Sequence, residues 1–251
     1  MHESWRCSVT DAEVLRIATE IDRQGYGTLV DYVSEEELQP LRTIAQGAVS
    51  TTNGEYIHFT GVAAFGGTVL LDLQQSPAFK ELCRRLYNLG TAKAAPEADF
   101  YTIVRCLKGR SGQRNSYRFH FDSYVLTALL PVVIPNQGPA GDLVIIPAAR
   151  PIRRSYIANL LDKVIIDSVV CQLLLRLAAF RRRFGAVVVP LRPGTMYFFW
   201  GYRSIHANEP CDADKLRTTA LFHFGDPHHD SRARALIRRW RPAYTRIEPR
   251  P

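Results

Sequence analysis

From Asp99 onward the chain breaks into short runs rich in β-branched and aromatic residues, each closed by Gly, Pro, Asn or Asp. This rhythm limits the fold more than any other feature of the sequence. The runs are FYTIVRCL, YRFHFDSYVLTALLPVVI, GDLVIIP, AVVVPL, TMYFFW and RTTALFHF. Such side chains suit a pleated, half-buried surface, and turn residues at this spacing send the chain back on itself, so the pattern predicts an antiparallel sandwich or barrel. One stretch, 155–184, interrupts the rhythm with helical spacing. Its polar breaks at Asp162, Lys163, Asp167, Gln172 and Arg176 predict a helix pair, buried or at an interface, that does not span a bilayer.

Ahead of the strands the spacing predicts helices. Thr10-x-x-Glu13 and Ser34-x-x-Glu37 are capping boxes, each followed by an apolar stripe: Val14, Leu15, Ala18 and Ile21, then Leu38, Leu41, Ile44 and Ala45. A third helix is marked by Ser76 as cap, Pro77 at its first position, Phe79, Leu82, Cys83, Leu86 and Leu89 as its stripe, and Gly90 as its stop. With no repeat and no low-complexity linker, the expectation is one α+β domain with a mainly β core over 1–251. It comprises N-terminal helices and edge strands (10–92), a strand core (99–225), the helical insert (155–184) and a basic tail (231–251).

Charge and cysteine usage narrow the class further. The net charge is +8, but residues 150–185 and 231–251 carry +6 each, so the rest of the chain sums to −4. A basic chain raises the question of a nucleic-acid partner. The clusters at Arg181–Arg183 and Arg238–Arg241 read better as helix-end charges and solvated faces, so nucleic acid is not favoured. The five cysteines are scattered, with no C-x-x-C, and read as free, mostly buried thiols. A polar start and the lack of a bilayer-length apolar run predict a cytoplasmic chain without a membrane partner.

Chemistry concentrates in two places. In YRFHFDSYV, His120 and Asp122 are two residues apart, so on a strand both point to one face while Phe121 points to the other. His206 follows TMYFFW far downstream. Two imidazoles and one carboxylate leave one side of a metal open, the arrangement non-haem Fe(II) oxygenases use. Arg217, 11 residues beyond His206, and Thr219 share a strand face; a guanidinium fork beside a hydroxyl suits a carboxylate.

H-x-D, a distal His and R-x-[ST] about one hairpin later resemble the Fe(II)/2-oxoglutarate-dependent dioxygenases, most closely the phytanoyl-CoA dioxygenase-like branch. RQGYGTLVDYVSEEELQPLR and LRPGTMYFFWGYRSIHANEPCDADKLRTTALFHF are similar to that branch's N-terminal and C-terminal segments. The resemblance implies a double-stranded β-helix (jelly-roll, cupin-like) core flanked by the N-terminal helices and carrying the insert. It also implies Fe(II) on His120, Asp122 and His206, 2-oxoglutarate as cosubstrate with its distal carboxylate on Arg217 and Thr219, O2 as oxidant, and hydroxylation of a small-molecule or carrier-linked metabolite with release of succinate and CO2. Family members that halogenate replace the carboxylate ligand with a small residue, so Asp122 disfavours halogenation. The rivals are an oxygenase acting on nucleic acid through the basic segments and a non-catalytic metal-binding jelly-roll module.

Around this set the signals thin. Tyr124 shares the face of Asp122 if the strand continues, and Asn208 lies two beyond His206, so both are candidates for contact with the cosubstrate. Trp200, Tyr202 and Arg203 border His206, and Arg105 on the preceding strand is placed to meet an anionic group; these four are candidates for substrate contact. Lys108–Ser116 reads as a polar lid or surface loop, His228–Asp230 as a solvated turn, and His223 as a satisfied core histidine near the pocket. His2 and His58 have no partner pattern. The insert is the candidate surface for homo-oligomer formation.

Overall fold

The computed structural model describes residues 8–52 and 54–240, the last four as backbone only; His2, Cys7 and the tail from Arg241 lie outside the described residues. Both predicted capping boxes form. Thr10 caps α1 (Asp11–Gln24), which leads to the short strand β1 (Gly27–Leu29), and Ser34 caps α2 (Glu35–Thr51). β2 (Ile57–Thr60) and α3 (Val69–Gln75), which the sequence patterns do not announce, precede α4 (Pro77–Thr91), capped by Ser76. Gly90 lies inside α4 and does not stop it. A Cβ there would sit 2.6 Å from the Trp200 ring, so the glycine is required by helix-to-sheet packing.

The strands then form two antiparallel sheets. β3 (Tyr101–Leu107) leads through the short helix α5 (Gly109–Arg114) to β4 (Leu126–Val133) and β5 (Leu143–Ile146). Beyond the insert come β6 (Val187–Val189), β7 (Met196–Phe199), β8 (Ile205–Asn208) and β9 (Arg217–Phe224). The larger sheet has the order β1-β7-β4-β9-β3-β2 and the smaller β6-β5-β8.

Strand alternation sorts the side chains into layers. Ala128, Leu130, Phe198, Phe222 and Phe224 pack against Ile17, Leu38, Phe79 and Leu86 of the N-terminal helices. Their neighbours Leu129, Tyr197, Phe199 and Leu221 face Leu143, Ile145 and Val189 of the smaller sheet. Val144, Ile146, Ile205 and Ala207 point outward from the smaller sheet to Phe119, Phe121 and Leu175. The result is a mixed α+β fold: helices, a six-stranded sheet, a three-stranded sheet, and the insert outermost.

Two sequence expectations change in the process. The run 117–134 is not one strand. His120 makes an isolated bridge with His206 beside the smaller sheet, the chain bends at residues 123–125, and only from Leu126 does it join the larger sheet. The cause is visible in the backbone: Asp122 donates to Gly201 O at 2.9 Å and Val125 to Gly225 O at 2.8 Å, two anchors on different segments. The insert forms three helices, α6 (Tyr156–Asp167), α7 (Val169–Arg176) and α8 (Ala178–Arg183), broken at Ser168 and Leu177. Its outer face is exposed, including Leu161, Val164, Val169 and Val170.

The insert is tied down by polar contacts. Buried Arg150 lies between the Phe121 and Tyr202 rings, 3.8 and 4.2 Å from their centroids, and donates to Tyr202 O, Asp162 and Asn159 at 2.8–2.9 Å. Arg181, also buried, donates to the carbonyls of Leu175 and Arg176. Two arginines of the basic segment 150–185 are therefore internal anchors. Among the described cysteines, Cys83, Cys106 and Cys211 are buried and Cys171 is half-buried, all free thiols. No helix among the described residues is long and apolar enough to cross a membrane.

Candidate metal centre

His120 and His206 are held in register by a reciprocal backbone pair, each N–H donating to the other's carbonyl at 3.1 Å. Their rings lie side by side, tilted by 52°, with centroids 4.4 Å apart. Each Nδ1 meets a backbone carbonyl, Arg118 O at 2.9 Å for His120 and Ser204 O at 3.2 Å for His206. A carbonyl only accepts, so each ring carries its proton on Nδ1 and leaves the Nε2 lone pair free. Both Nε2 atoms converge on Asp122 Oδ1, at 3.6 Å from His120 and 3.5 Å from His206. The three ligand atoms lie within 4.8 Å of one another, a group that could hold a metal ion.

The other carboxylate oxygen is fixed from behind. Thr127 Oγ1 donates to Asp122 Oδ2 at 2.6 Å and, with its proton used there, accepts from His223 Nδ1 at 3.0 Å. Gly201 makes this possible, since a Cβ there would lie 2.1 Å from Asp122 Oδ2. Burial opposes ionisation of Asp122, but the neighbouring His206 and His223 hold its carboxyl well below the usual carboxylate range. Burial, helped by the nearby His206, pushes His120 below the ordinary imidazole value, which favours the neutral ring a metal needs.

A cavity of about 280 Å³ between the sheets joins this group to β9. Its wall carries Arg217 and Thr219, and its apolar lining comes from Ile103, Leu129, Leu143, Phe199 and Leu221. Arg217 is only 2% exposed, and its Nε has no hydrogen-bond partner. Burial, with Arg105 second, pushes its pKa down to about 10, so it stays cationic at neutral pH. A buried guanidinium without a counter-ion costs several kcal/mol, about the desolvation penalty of one ion, unless an anion enters beside it. A dicarboxylate reaching from the metal group to Arg217 and Thr219 fits that requirement.

The remaining sequence candidates separate. Asn208 lines the cavity, hydrogen-bonded to Ser116 Oγ and Glu209 O. Arg105 lines it too, half-buried beside Tyr56. The other four are placed elsewhere. The bend after Asp122 turns Tyr124 into a three-ring cluster with His223 and Tyr101, at centroid distances of 5.5 and 5.6 Å, and it does not line the cavity. Trp200 packs among the N-terminal helices and donates to Asp22 at 2.8 Å. Tyr202 is fully buried, its hydroxyl 2.9 Å from His228 Nε2, and Arg203 turns to Asp22 at 3.6 Å. Residues 108–116 are not a free loop: Glu55 accepts from Ser111 N, and Ser111 Oγ accepts from Tyr56 N, pinning α5. Likewise His228 is buried against Tyr156 and Tyr202, while His229 and Asp230 form the exposed part of that turn.

Several cavity residues have no local sequence signal. Tyr56, just before β2, and His58 on it line the cavity, Thr127 backs Asp122, and Arg118 and Lys163 border an outer chamber that continues from His120. His58 carried no partner pattern because its partner is a ring on its own strand's approach, Tyr56, stacked at 5.7 Å.

No protein-family model matches the chain, and no curated protein matches it. Solved structures do. The chain is similar to EctD from S. alaskensis, solved with bound Fe, at 16% identity and TM-score 0.58, over 87% of this chain and 79% of that one. It is similar to the non-haem α-ketoglutarate-dependent epimerase SnoN from nogalamycin biosynthesis, at 17% and 0.54, over 86% and 84%. It is also similar to a Pseudomonas putida prolyl-4-hydroxylase, at 13% and 0.54, over 84% and 98%. At these identities the likeness establishes a shared fold, with a multi-stranded sheet resembling the core of iron- and 2-oxoglutarate-dependent oxygenases and flanked by helices.

Proposed function

We propose that the protein is a non-haem Fe(II)/2-oxoglutarate-dependent oxygenase that hydroxylates a small-molecule or carrier-linked metabolite and releases succinate and CO2. The observation that carries the reading is the buried, anion-requiring Arg217 in the same cavity as two free imidazole Nε2 atoms and a carboxylate oxygen. His120, Asp122 and His206 would hold Fe(II), and Arg217 with Thr219 would grip the distal carboxylate of 2-oxoglutarate. When bound, the metal and cosubstrate couple oxidative decarboxylation by O2 to oxidation of a substrate C–H bond. The chain's own part is orientation and exclusion of water. The backbone carbonyls of Arg118 and Ser204 fix the imidazole tautomers, Thr127 fixes the carboxylate, and the apolar wall from Ile103 to Leu221 keeps the cavity dry.

The two sheets are read as a double-stranded β-helix, the whole chain as one catalytic unit, and its place within the fold as beside the phytanoyl-CoA dioxygenase-like branch, on the strength of segments 23–42 and 191–224. A retained Asp122 argues for hydroxylation over halogenation. Burial of Arg150 and Arg181 takes part of the basic segment 150–185 out of reach of a nucleic acid.

The test is turnover of 2-oxoglutarate to succinate by the full chain with Fe(II) and O2. His120→Ala and Asp122→Ala should abolish it, and Arg217→Ala should raise the apparent KM for 2-oxoglutarate. Turnover that survives loss of either ligand would falsify the metal assignment, and an unaltered KM would remove the role of Arg217.

A further inference from the structure

Outside the inner cavity, and sharing Tyr56, Arg105, His120 and Asn208 with it, lies a second chamber of about 350 Å³. It is roofed by α6, which contributes Lys163, Ile166 and Asp167, and its floor carries Arg118 and Phe121. Its volume is at the small end of the range for small-molecule sites, about 300–1,000 Å³. Its charge is one-sided: Arg105, Arg118 and Lys163 against Asp167 alone. Arg105 and Arg118 have no ion pair among the described residues, and Lys163 is held by the Ser123 hydroxyl at 2.8 Å, with no carboxylate in ion-pair reach.

These cations are not needed by the proposed chemistry. Fe(II), the Asp122 carboxylate, the dianionic cosubstrate and the Arg217 guanidinium together sum to zero charge. Nor does the fold use them as it uses Arg150 and Arg181, which are buried and hydrogen-bonded to backbone carbonyls. Three cations converging on one mouth, beside the imidazole that borders both chambers, focus an attractive field for an anion.

We infer that the outer chamber is the substrate site and that it selects substrates bearing an acidic group, a carboxylate or a phosphate, held by Arg118 and Lys163 with Arg105 at the inner end. This rests on the oxygenase reading above and names its substrate class. The acidic group sits at the outer mouth, so the C–H bond that reacts belongs to the part of the substrate pointing inward past His120. Because α6 supplies Lys163, the insert takes part in recognition as well as covering the smaller sheet.

The experiment is anaerobic calorimetric titration of the full chain, loaded with Fe(II) and 2-oxoglutarate so that Arg217 is occupied. The matched probes are phenylacetate, phenyl phosphate and neutral phenylacetamide. The anions should bind about tenfold or more tightly than the amide, the difference that one charge-assisted hydrogen bond supplies. Arg118→Gln and Lys163→Gln should each weaken the anions several-fold while sparing the amide, and the double variant should erase the preference. Tighter binding of phenyl phosphate identifies a phosphate site, and of phenylacetate a carboxylate site. Equal binding of amide and anions, unchanged anion affinity in the folded double variant, or no anion bound more tightly than about 10 mM overturns the inference. Succinate formation by the wild-type chain is measured in parallel. If it is absent while the Arg118- and Lys163-dependent preference persists, the oxygenase reading falls and the anion site stands. If it is present without any preference, only the anion site falls.

Discussion

β9 and the insert both read as apolar in the sequence, yet the structure uses them in opposite ways. All eight residues of β9 are buried; of these, Ala220, Phe222 and Phe224 pack against the N-terminal helices, and Arg217, Thr219, Leu221 and His223 face the inner cavity. Across α6, α7 and α8 only Asn159, Leu175 and Arg181 are buried, two of them polar. A strand between two layers is covered on both faces, whereas a helix on the outside of a small sheet buries one stripe. The cavity wall is thus held by packing and the outer roof by a few hydrogen-bonded polar anchors. Each layer can be broken selectively.

The largest effect is expected in the strand. Phe222 touches Phe79 and Phe100 edge-on, at ring-centroid distances of 5.3 and 5.7 Å, and Phe222→Ala should cost about 3–5 kcal/mol in denaturant unfolding, with the helices and the metal group lost in one transition. A loss below about 1 kcal/mol would mean that β9 is not the centre of the packing. Next comes the anchor of the insert. Arg150→Met keeps the aliphatic volume between Phe121 and Tyr202 but leaves the Asn159 side-chain oxygen and Tyr202 O without their donor, while Asp162 keeps Arg153, so it should cost about 1–3 kcal/mol. Hydrogen exchange should show the loss concentrated in residues 155–184. A uniform rise in exchange across β4 and β9 would show that the two layers are not separable.

The same contrast explains what was legible in the sequence. Elements with a local cause were readable: the capping boxes at Thr10 and Ser34, most of the strand runs, and the residues His120, Asp122 and His206 that come together, with Arg217 on the same cavity. What failed depended on partners distant in sequence. Continuing the strand past Asp122 put Tyr124 on the metal side, but the bend is set by Gly201 and Gly225, some 80 to 100 residues away. Adjacency to His206 suggested Trp200, Tyr202 and Arg203, but alternation and the turn after β7 direct them to Asp22 and His228. Lys163 joined the chamber only because α6 folds back over Ser123, which no spacing within 155–184 announces.

A smaller effect should come from behind the metal group. Thr127→Val removes the hydroxyl that caps Asp122 Oδ2 and accepts from His223, leaving both with one fewer partner while hardly changing volume. Losing such an outer partner costs about 10–100-fold in metal affinity, and the expectation is the lower end, about tenfold, because Oδ1 and both imidazoles keep their positions. Competition of the purified chain with a chromophoric chelator for Zn(II) reads this without turnover. Unchanged affinity would reduce Thr127 to a packing residue.

The smallest effect tests the exposed side of the comparison. Val170 and Leu161 are 67% and 58% exposed, so Val170→Ser and Leu161→Ser remove apolar surface already in water and should move stability by no more than about 0.5 kcal/mol. Their insensitivity is the counterpart of Phe222, since the same kind of side chain contributes according to what covers it. The measurement is the unfolding midpoint at two protein concentrations at least tenfold apart. A loss above about 1 kcal/mol that grows with concentration would place a second copy of the chain over α6 and α7, because only association makes stability depend on concentration. The roof of the outer chamber would then be an inner layer of a larger assembly, and the contrast with β9 would hold for the isolated chain alone.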